Sequence, residues 1–264
     1  MTIAGSDSGG GAGIQADLAT FSALGVFGTS VITAITAQNT FEVADVDVVS
    51  PSMVKAQFEA VMTDMEVQAV KTGMLAEVPI IELISEIAAQ GGIPNLVVDP
   101  VLLSSSGYEL IKGDARNAYL NDLFPHALVV TPNMQEASYL LNTEVTSVEE
   151  MVEAAKRLSD SGARYVIVKG GHLQSNRSID VVSDGNSISL LEEEMIPTRN
   201  IHGTGCTFSA AITAFLAMGR APMEAFKEAK SYITSTIKGA RTWRLGRGHG
   251  PVDHLLWCSD RSPT

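Results

Sequence analysis

Apolar and polar positions change period again and again along this chain. Short runs rich in Val, Ile and Thr alternate with longer stretches whose apolar residues recur at helical spacing. The first pattern predicts strands and the second amphipathic helices. A strand is expected at Thr2-Ile3-Ala4, a helix over 13–24, and a strand within FGTSVITAITAQ. A helix starting near Pro51 leads to the strand AVKTG, and a helix over 78–90 leads to NLVVD. A helix near 114–123, the strand ALVV, helices near 134–141 and 147–160, and the strand RYVIVKG follow. Asp-Gly between strand-like runs in 178–195 predicts a hairpin, and helices over 206–218 and 222–241 complete the series.

Strand–helix alternation with near-continuous apolar strands implies an α/β fold whose largely parallel sheet is covered on both faces. No linker, low-complexity run or internal repeat interrupts the pattern, so one domain over 1–264 is expected.

In such sheets ligands bind beyond the carboxyl ends of the strands. The residues at those ends are therefore informative. They are Gly5-Ser6-Asp7, Gln38-Asn39, Lys71-Thr72-Gly73-Met74, Asp99, Asn133 and Lys169-Gly170-Gly171. Six ends carrying Asp, Asn, Gln and Lys point to one shared polar site, because unsatisfied buried polar groups are costly.

Two glycine-rich turns feed helices. In GSDSGGGAGIQAD, residues Gly11 to Ala16 fit the loose dinucleotide fingerprint, but the next strand ends in Gln38-Asn39 and lacks its ribose-binding acid. Asp17 lies one turn into that helix, and the backward lean of helical side chains would carry it over the turn. In HGTGC, the amides of Gly203, Thr204, Gly205 and Cys206 open an apolar helix and make a ready anion site. Donors so placed stabilise a phosphoryl group in transfer. The same field is expected to lower the pKa of Cys206 and favour a thiolate able to take a hydroxyl proton. No Gly-x-x-x-x-Gly-Lys-Ser/Thr motif is present.

Composition narrows the partners. The chain is 45% apolar and 18% charged, with a net charge of −12, which disfavours nucleic acid and anionic membranes. Its two cysteines, Cys206 and Cys258, form neither a disulfide framework nor a metal-ligand spacing. With no long apolar run and no signal-peptide layout, a cytoplasmic protein is expected.

The motifs TIAGSDSGGGAGIQADL, VITAITAQNT, KTGMLA, DPV, TPNMQEA, VKGGH, HGTGCTFSAAI and GRGHGPVDH occur in this order along nearly the whole chain. As a set they resemble the hydroxymethylpyrimidine and phosphomethylpyrimidine kinases of thiamine biosynthesis, within the ribokinase-like superfamily. The resemblance implies a three-layer α/β/α sandwich around a mostly parallel sheet. It also implies phosphorylation of 4-amino-5-hydroxymethyl-2-methylpyrimidine, and then of its monophosphate, using ATP and Mg²⁺. By position Gln38 matches the pyrimidine-binding glutamine, and Asp17, Gly5, Ala12, Met74 and Val101 fall in the substrate pocket. Cys206 matches the catalytic base, Gly203, Thr204 and Gly205 the anion hole, and Lys169 a phosphate-contacting lysine. Asn133 and Glu136 match an Asn-x-x-Glu element associated with nucleotide phosphates and magnesium, with Asp99 an outer participant. A homodimer is implied by the same analogy.

Two departures stand out. The chain opens almost on the first motif, so a short first strand is expected, and LLSSSGYELIKGD, the expected flap, has Leu102 and Ser105 where relatives often carry Met and then Lys or Thr. A vitamin B6 kinase is the nearest alternative, since pyridoxine and pyridoxal also present a ring and a hydroxymethyl group. A nicotinamide dehydrogenase, a non-catalytic binding domain and a hydrolase pairing Cys206 with His202 are weaker alternatives.

Overall fold

In a sheet covered on both faces, neighbouring residues of a strand are buried on opposite sides. The central strands obey this. Val98, Val130, Val166 and Val168 pack into one core, while Val97, Val129 and Ile167 pack into another. These strands are β5 (Leu96–Val98), β6 (Val129–Val130) and β7 (Tyr165–Lys169). The remaining strands are β1 (Thr2–Asp7), β2 (Ser30–Gln38), β3 (Val43–Val48), β4 (Val70–Thr72), β8 (Arg177–Ser183) and β9 (Ile188–Glu194). The computed structural model describes residues 1–102, 110–111, 114–171, 173 and 176–256.

Among these residues the sheet has nine strands in the order β3-β2-β1-β4-β5-β6-β7-β8-β9. Strands β2, β1, β4, β5, β6 and β7 run parallel, while β3 at one edge and the β8–β9 hairpin at the other are antiparallel. One helical layer holds α2 (Pro51–Met62), α3 (Val78–Ala89), α4 (Ala115–Asn117) with its π-helical continuation Ala118–Leu123, α5 (Met134–Leu141) and α6 (Val148–Ser159). The other holds α1 (Gly13–Ala23), α7 (Thr204–Ala217) and α8 (Pro222–Gly239). This is the expected three-layer α/β/α sandwich. No helix among the described residues is long and apolar enough to cross a membrane.

Three expectations change. Strand β1 is not short: it runs from Thr2 to Asp7 and pairs with both β2 and β4. Strand β3 was not anticipated, because VADVDV is interrupted by acids; pairing with β2 explains it, since its outer face is exposed. Residues 114–123 form a short α-turn running into a π-helix rather than one α-helix.

The motif GRGHGPVDH forms a strap back onto the sheet. Gly248 N–H donates to Thr40 Oγ1 at 3.2 Å, and His202 N–H donates to Gly250 O at 3.0 Å. At its end the buried His254 accepts, through its carbonyl, a hydrogen bond from Tyr232 Oη. Burial pushes the His254 imidazole down to about 4, Asp253 opposing and His202 adding to the fall. The folded pKa lies below the unfolded value near 6.5, so stability is fully present above that value and falls as pH drops towards 4. The loss is expected to reach about 1.4 kcal/mol per pH unit in that window. Thermal melts at pH 7.5 and about pH 5 check this: His254→Phe should lose part of the acid sensitivity.

Candidate active site

Strand β1 connects to β2 on one side and is paired with β4 on the other, so the order reverses beside it and opens a crevice at its carboxyl end. A cavity of about 430 Å³ occupies that place. Of the strand-end residues singled out in the sequence, Gly5, Ser6, Asp7, Gln38, Met74, Asp99, Asn133 and Lys169 line it, whereas Asn39, Lys71, Thr72, Gly73, Gly170 and Gly171 do not. The helix tip Gly203–Cys206 lines the same cavity, as do Ala12, Val101 and Glu136.

Asp7 builds the first turn. Its carboxylate accepts from the amides of Gly9 at 2.7 Å, Gly11 at 3.1 Å and Ala12 at 2.9 Å, and it contacts His202 Nε2 at 2.8 Å. Burial works against its charge, but His202 and these amides outweigh it and hold Asp7 below the ordinary carboxylate range. His202 also lies 3.4 Å from Gln38 Nε2, while Thr36 Oγ1 donates to Gln38 Oε1 at 3.2 Å. A register irregularity between Ala37 and Gln38 turns this amide at the end of β2, as bulges beside sites do. His202 is thus engaged with Asp7 and Gln38, which argues against its pairing with Cys206 in a hydrolase. The sequence offered one signal for this network, His202 beside the glycine turn.

The two glycine turns touch. Gly203 has φ +80°, and a Cβ there would lie 1.8 Å from the carbonyl oxygen of Gly11, so glycine is required for the turns to meet. The Thr204 amide donates to Ile201 O at 3.3 Å and is therefore engaged, contrary to expectation. The Gly205 and Cys206 amides have no acceptor among the described residues and remain as anion donors at the tip of α7.

Lys169 Nζ donates to Asp99 Oδ1 at 2.6 Å, and Asp99 also accepts from Thr131 and Ser209. Burial disfavours both charges, but each stabilises the other: Asp99 is held low and Lys169 high. Asn133 and Glu136 form a capping box at the start of α5. The Asn133 side chain accepts from Glu136 N–H at 2.9 Å, and Glu136 accepts from Asn133 N–H at 2.7 Å. Burial pushes Glu136 up to about 7, Lys169 opposing and Asp99 adding to the rise.

Among the described residues no group of three or more His, Cys, Asp or Glu side chains could hold a metal by itself. Asp99 and Glu136 nonetheless suit Mg²⁺, which takes one or two carboxylates and completes its shell with water and phosphate oxygens. A buried carboxyl raised to about 7 is one that a neighbouring cation would ionise.

Two assignments are corrected. Asp17 does not line the cavity: it is fully buried, accepting from Lys71 Nζ at 2.7 Å and Thr2 Oγ1 at 2.6 Å. Its face of α1 turns to the sheet, and the lean of the side chain does not carry it over the glycine turn. Cys206 does line the cavity, but its thiol is not lowered. Burial pushes it up to about 11, Lys71 opposing while Asp17 and Asp99 add to the rise. The flap lies almost wholly outside the described residues, including Ser105; only Leu102, Leu110, Ile111 and Asp114 belong to the described part, as does the Leu110 N–H to Leu102 O bond of 2.9 Å.

An amide edge and a helix-tip anion site in one hollow, within a three-layer ribokinase-like fold, define a small-molecule kinase class. The sequence profile described as phosphomethylpyrimidine kinase matches residues 7–253, and the chain belongs to that family. It is 48% identical to the hydroxymethylpyrimidine/phosphomethylpyrimidine kinase of Rhizobium meliloti, over 98% of each chain. In structure it is similar to an ADP complex of Bacillus subtilis pyridoxal kinase, with TM-score 0.89 and 41% identity over 97% of this chain and 96% of the other. It is also similar to phosphomethylpyrimidine kinase from Clostridium difficile, with TM-score 0.78 and 42% identity over 89% of this chain and 97% of the other.

Proposed function

We propose that the chain transfers a phosphoryl group from MgATP to the hydroxymethyl oxygen of 4-amino-5-hydroxymethyl-2-methylpyrimidine, and then to the phosphate of the monophosphate formed. The observation that carries this reading is that Gln38 and the Gly205–Cys206 tip face one cavity of about 430 Å³. An amide donates and accepts at once, which suits an aminopyrimidine edge. Met74, Ala12 and Val101 offer the ring an apolar wall, Met74 being packed with Ala34, Val43 and Leu110.

In the proposed step the ionised form of Cys206, a minor fraction at neutral pH, takes the hydroxyl proton and becomes a thiol as the oxygen attacks the γ-phosphorus, and the bond to the leaving ADP oxygen breaks in line. The Gly205 and Cys206 amides and Lys169 hold the phosphoryl oxygens as charge shifts onto them. Asn133 orients the nucleotide phosphates. Asp99 and Glu136 would hold Mg²⁺, which when bound would supply positive charge to offset that of the nucleotide phosphates. Residues 1–264 serve as one kinase domain in this account. Exposed Ile35 (56%) on β2 and Phe41 (70%) between β2 and β3 supply an apolar surface for a homodimer.

ADP release measured with the pyrimidine alcohol, its monophosphate and pyridoxal tests the reading. Turnover of both pyrimidines with the higher kcat/KM supports it; preference for pyridoxal overturns it in favour of the vitamin B6 reading, which the likeness to B. subtilis pyridoxal kinase supports. Gln38→Leu keeps much of the side-chain volume but removes the paired edge. It is expected to raise KM for the pyrimidine about tenfold or more with KM for ATP little changed, as steady-state kinetics will show.

A further inference from the structure

A second cavity, of about 550 Å³, shares no lining residue with the first. Thr198, Arg199 and Asn200, just ahead of His202, line it together with residues 241–246, which follow α8. Three arginines, Arg199, Arg241 and Arg244, stand on that lining, and no acidic residue does. This is unusual in a chain of net charge −12. From residue 238 to residue 252 the sequence carries Lys238, Arg241, Arg244 and Arg247 without one Asp or Glu.

These arginines are not used in ion pairs. Among the described residues no carboxylate lies within 4.0 Å of the charged nitrogens of Arg199, Arg241, Arg244 or Arg247. Arg199 Nη2 donates to the carbonyls of Arg247 at 2.8 Å and Gly248 at 2.9 Å, which leaves Nη1 and Nε of its fork for another acceptor. Gathered cations repel one another, and a bound anion removes that repulsion.

The frame beneath them is fixed. Asn200, 2% exposed, donates through Nδ2 to Ala240 O at 2.7 Å and Trp243 O at 2.9 Å. Its amide therefore ties the loop after α8 to the segment ahead of His202. A Cβ on Gly250 would lie 2.2 Å from Asn200 Oδ1, so only glycine lets the strap pass this close. Trp243, half-buried, and Leu245 add an apolar part to the lining.

We propose that this cavity is a second ligand site, separate from the transfer site, for a small organic diphosphate that carries a flat ring. Guanidinium forks match phosphate oxygens two at a time and stay charged at any working pH. Three of them balance the charge of a diphosphate, and the indole of Trp243 suits a flat ring. The volume falls in the range of small-molecule pockets. A long polyanion such as RNA fits less well, because it would run onto the acidic remainder of the chain.

Calorimetric titration of the full chain with uridine 5′-diphosphate tests the proposal. The parent protein is expected to bind one equivalent more than Arg241→Ser/Arg244→Ser, or to bind that equivalent about tenfold or more tightly. Arg244→Glu, a second variant, should lose the same equivalent. Both arginines are exposed, so the melts of both variants should match the parent, and ADP release should stay within about twofold. Inorganic pyrophosphate, which has no ring, should bind this site about fivefold or more weakly than uridine 5′-diphosphate. Equal binding by parent and variants overturns the proposal. A loss of turnover that tracks the loss of binding would place the arginines in the transfer site and overturn it as well. Citrate displacing the nucleotide as effectively as pyrophosphate would overturn the assignment to phosphate. An oligouridylate that binds more tightly than uridine 5′-diphosphate, and is lost in the same variants, would overturn it in favour of nucleic acid.

Discussion

Replacing Cys206 by alanine is expected to lower kcat by about 10²–10⁴-fold, the usual contribution of a positioned proton acceptor. The sulfur lines the cavity beside the free amides of the α7 tip, and no other side chain at that tip offers a titratable acceptor. Binding should survive, because Gln38, Met74 and Val101 stand on other elements. The change should therefore fall on kcat with KM for the pyrimidine nearly constant. With burial holding the thiol at about 11, the neutral sulfur predominates at pH 7, and activity of the intact protein should climb as pH rises through the mildly alkaline range. Steady-state ADP release against pH measures both effects. A profile flat through that range, or full activity in the alanine variant, would remove Cys206 from the reaction.

Lys169→Met should be comparably severe and should also damage the fold. Losing a phosphate-facing cation costs about 10²–10³ in rate when the donor acts on developing charge. Asp99, 1% exposed, would then keep only Thr131 and Ser209 as side-chain donors. Removing one partner of a buried pair costs about 3–5 kcal/mol. Pairing the change with Asp99→Asn should recover most of the stability, read by denaturant unfolding, and none of the activity. Recovery of turnover in the double variant would show that Lys169 serves only to neutralise Asp99.

The strand ends were the most legible part of the site. Strands β5, β6 and β7 are short and apolar, so Asp99 and Lys169 mark where β5 and β7 stop and Asn133 lies just beyond β6, and a parallel sheet brings such ends together. Gly203 was legible for a related reason, although its purpose is contact with Gly11 rather than with a ligand. Asp17 misled because helical lean fixes the direction along the axis but not which face meets the sheet, and Thr2 and Lys71 claim this one. The thiolate expectation erred by weighing the helix tip alone; burial and two carboxylates reach the same sulfur. The Asp7–His202 contact was hidden because its partners lie 195 residues apart, whereas strand β3 was hidden by its own acids, its partner β2 ending at Gln38 just before Val43.

A crystal structure of the protein with a non-hydrolysable ATP analogue and the pyrimidine alcohol tests the central claim most directly. The account predicts the terminal phosphate on the Gly205 and Cys206 amides, the ring amine and nitrogen on Gln38, and the hydroxymethyl oxygen within hydrogen-bond reach of the Cys206 sulfur. A terminal phosphate held elsewhere, with the α7 tip filled by protein, would contradict it.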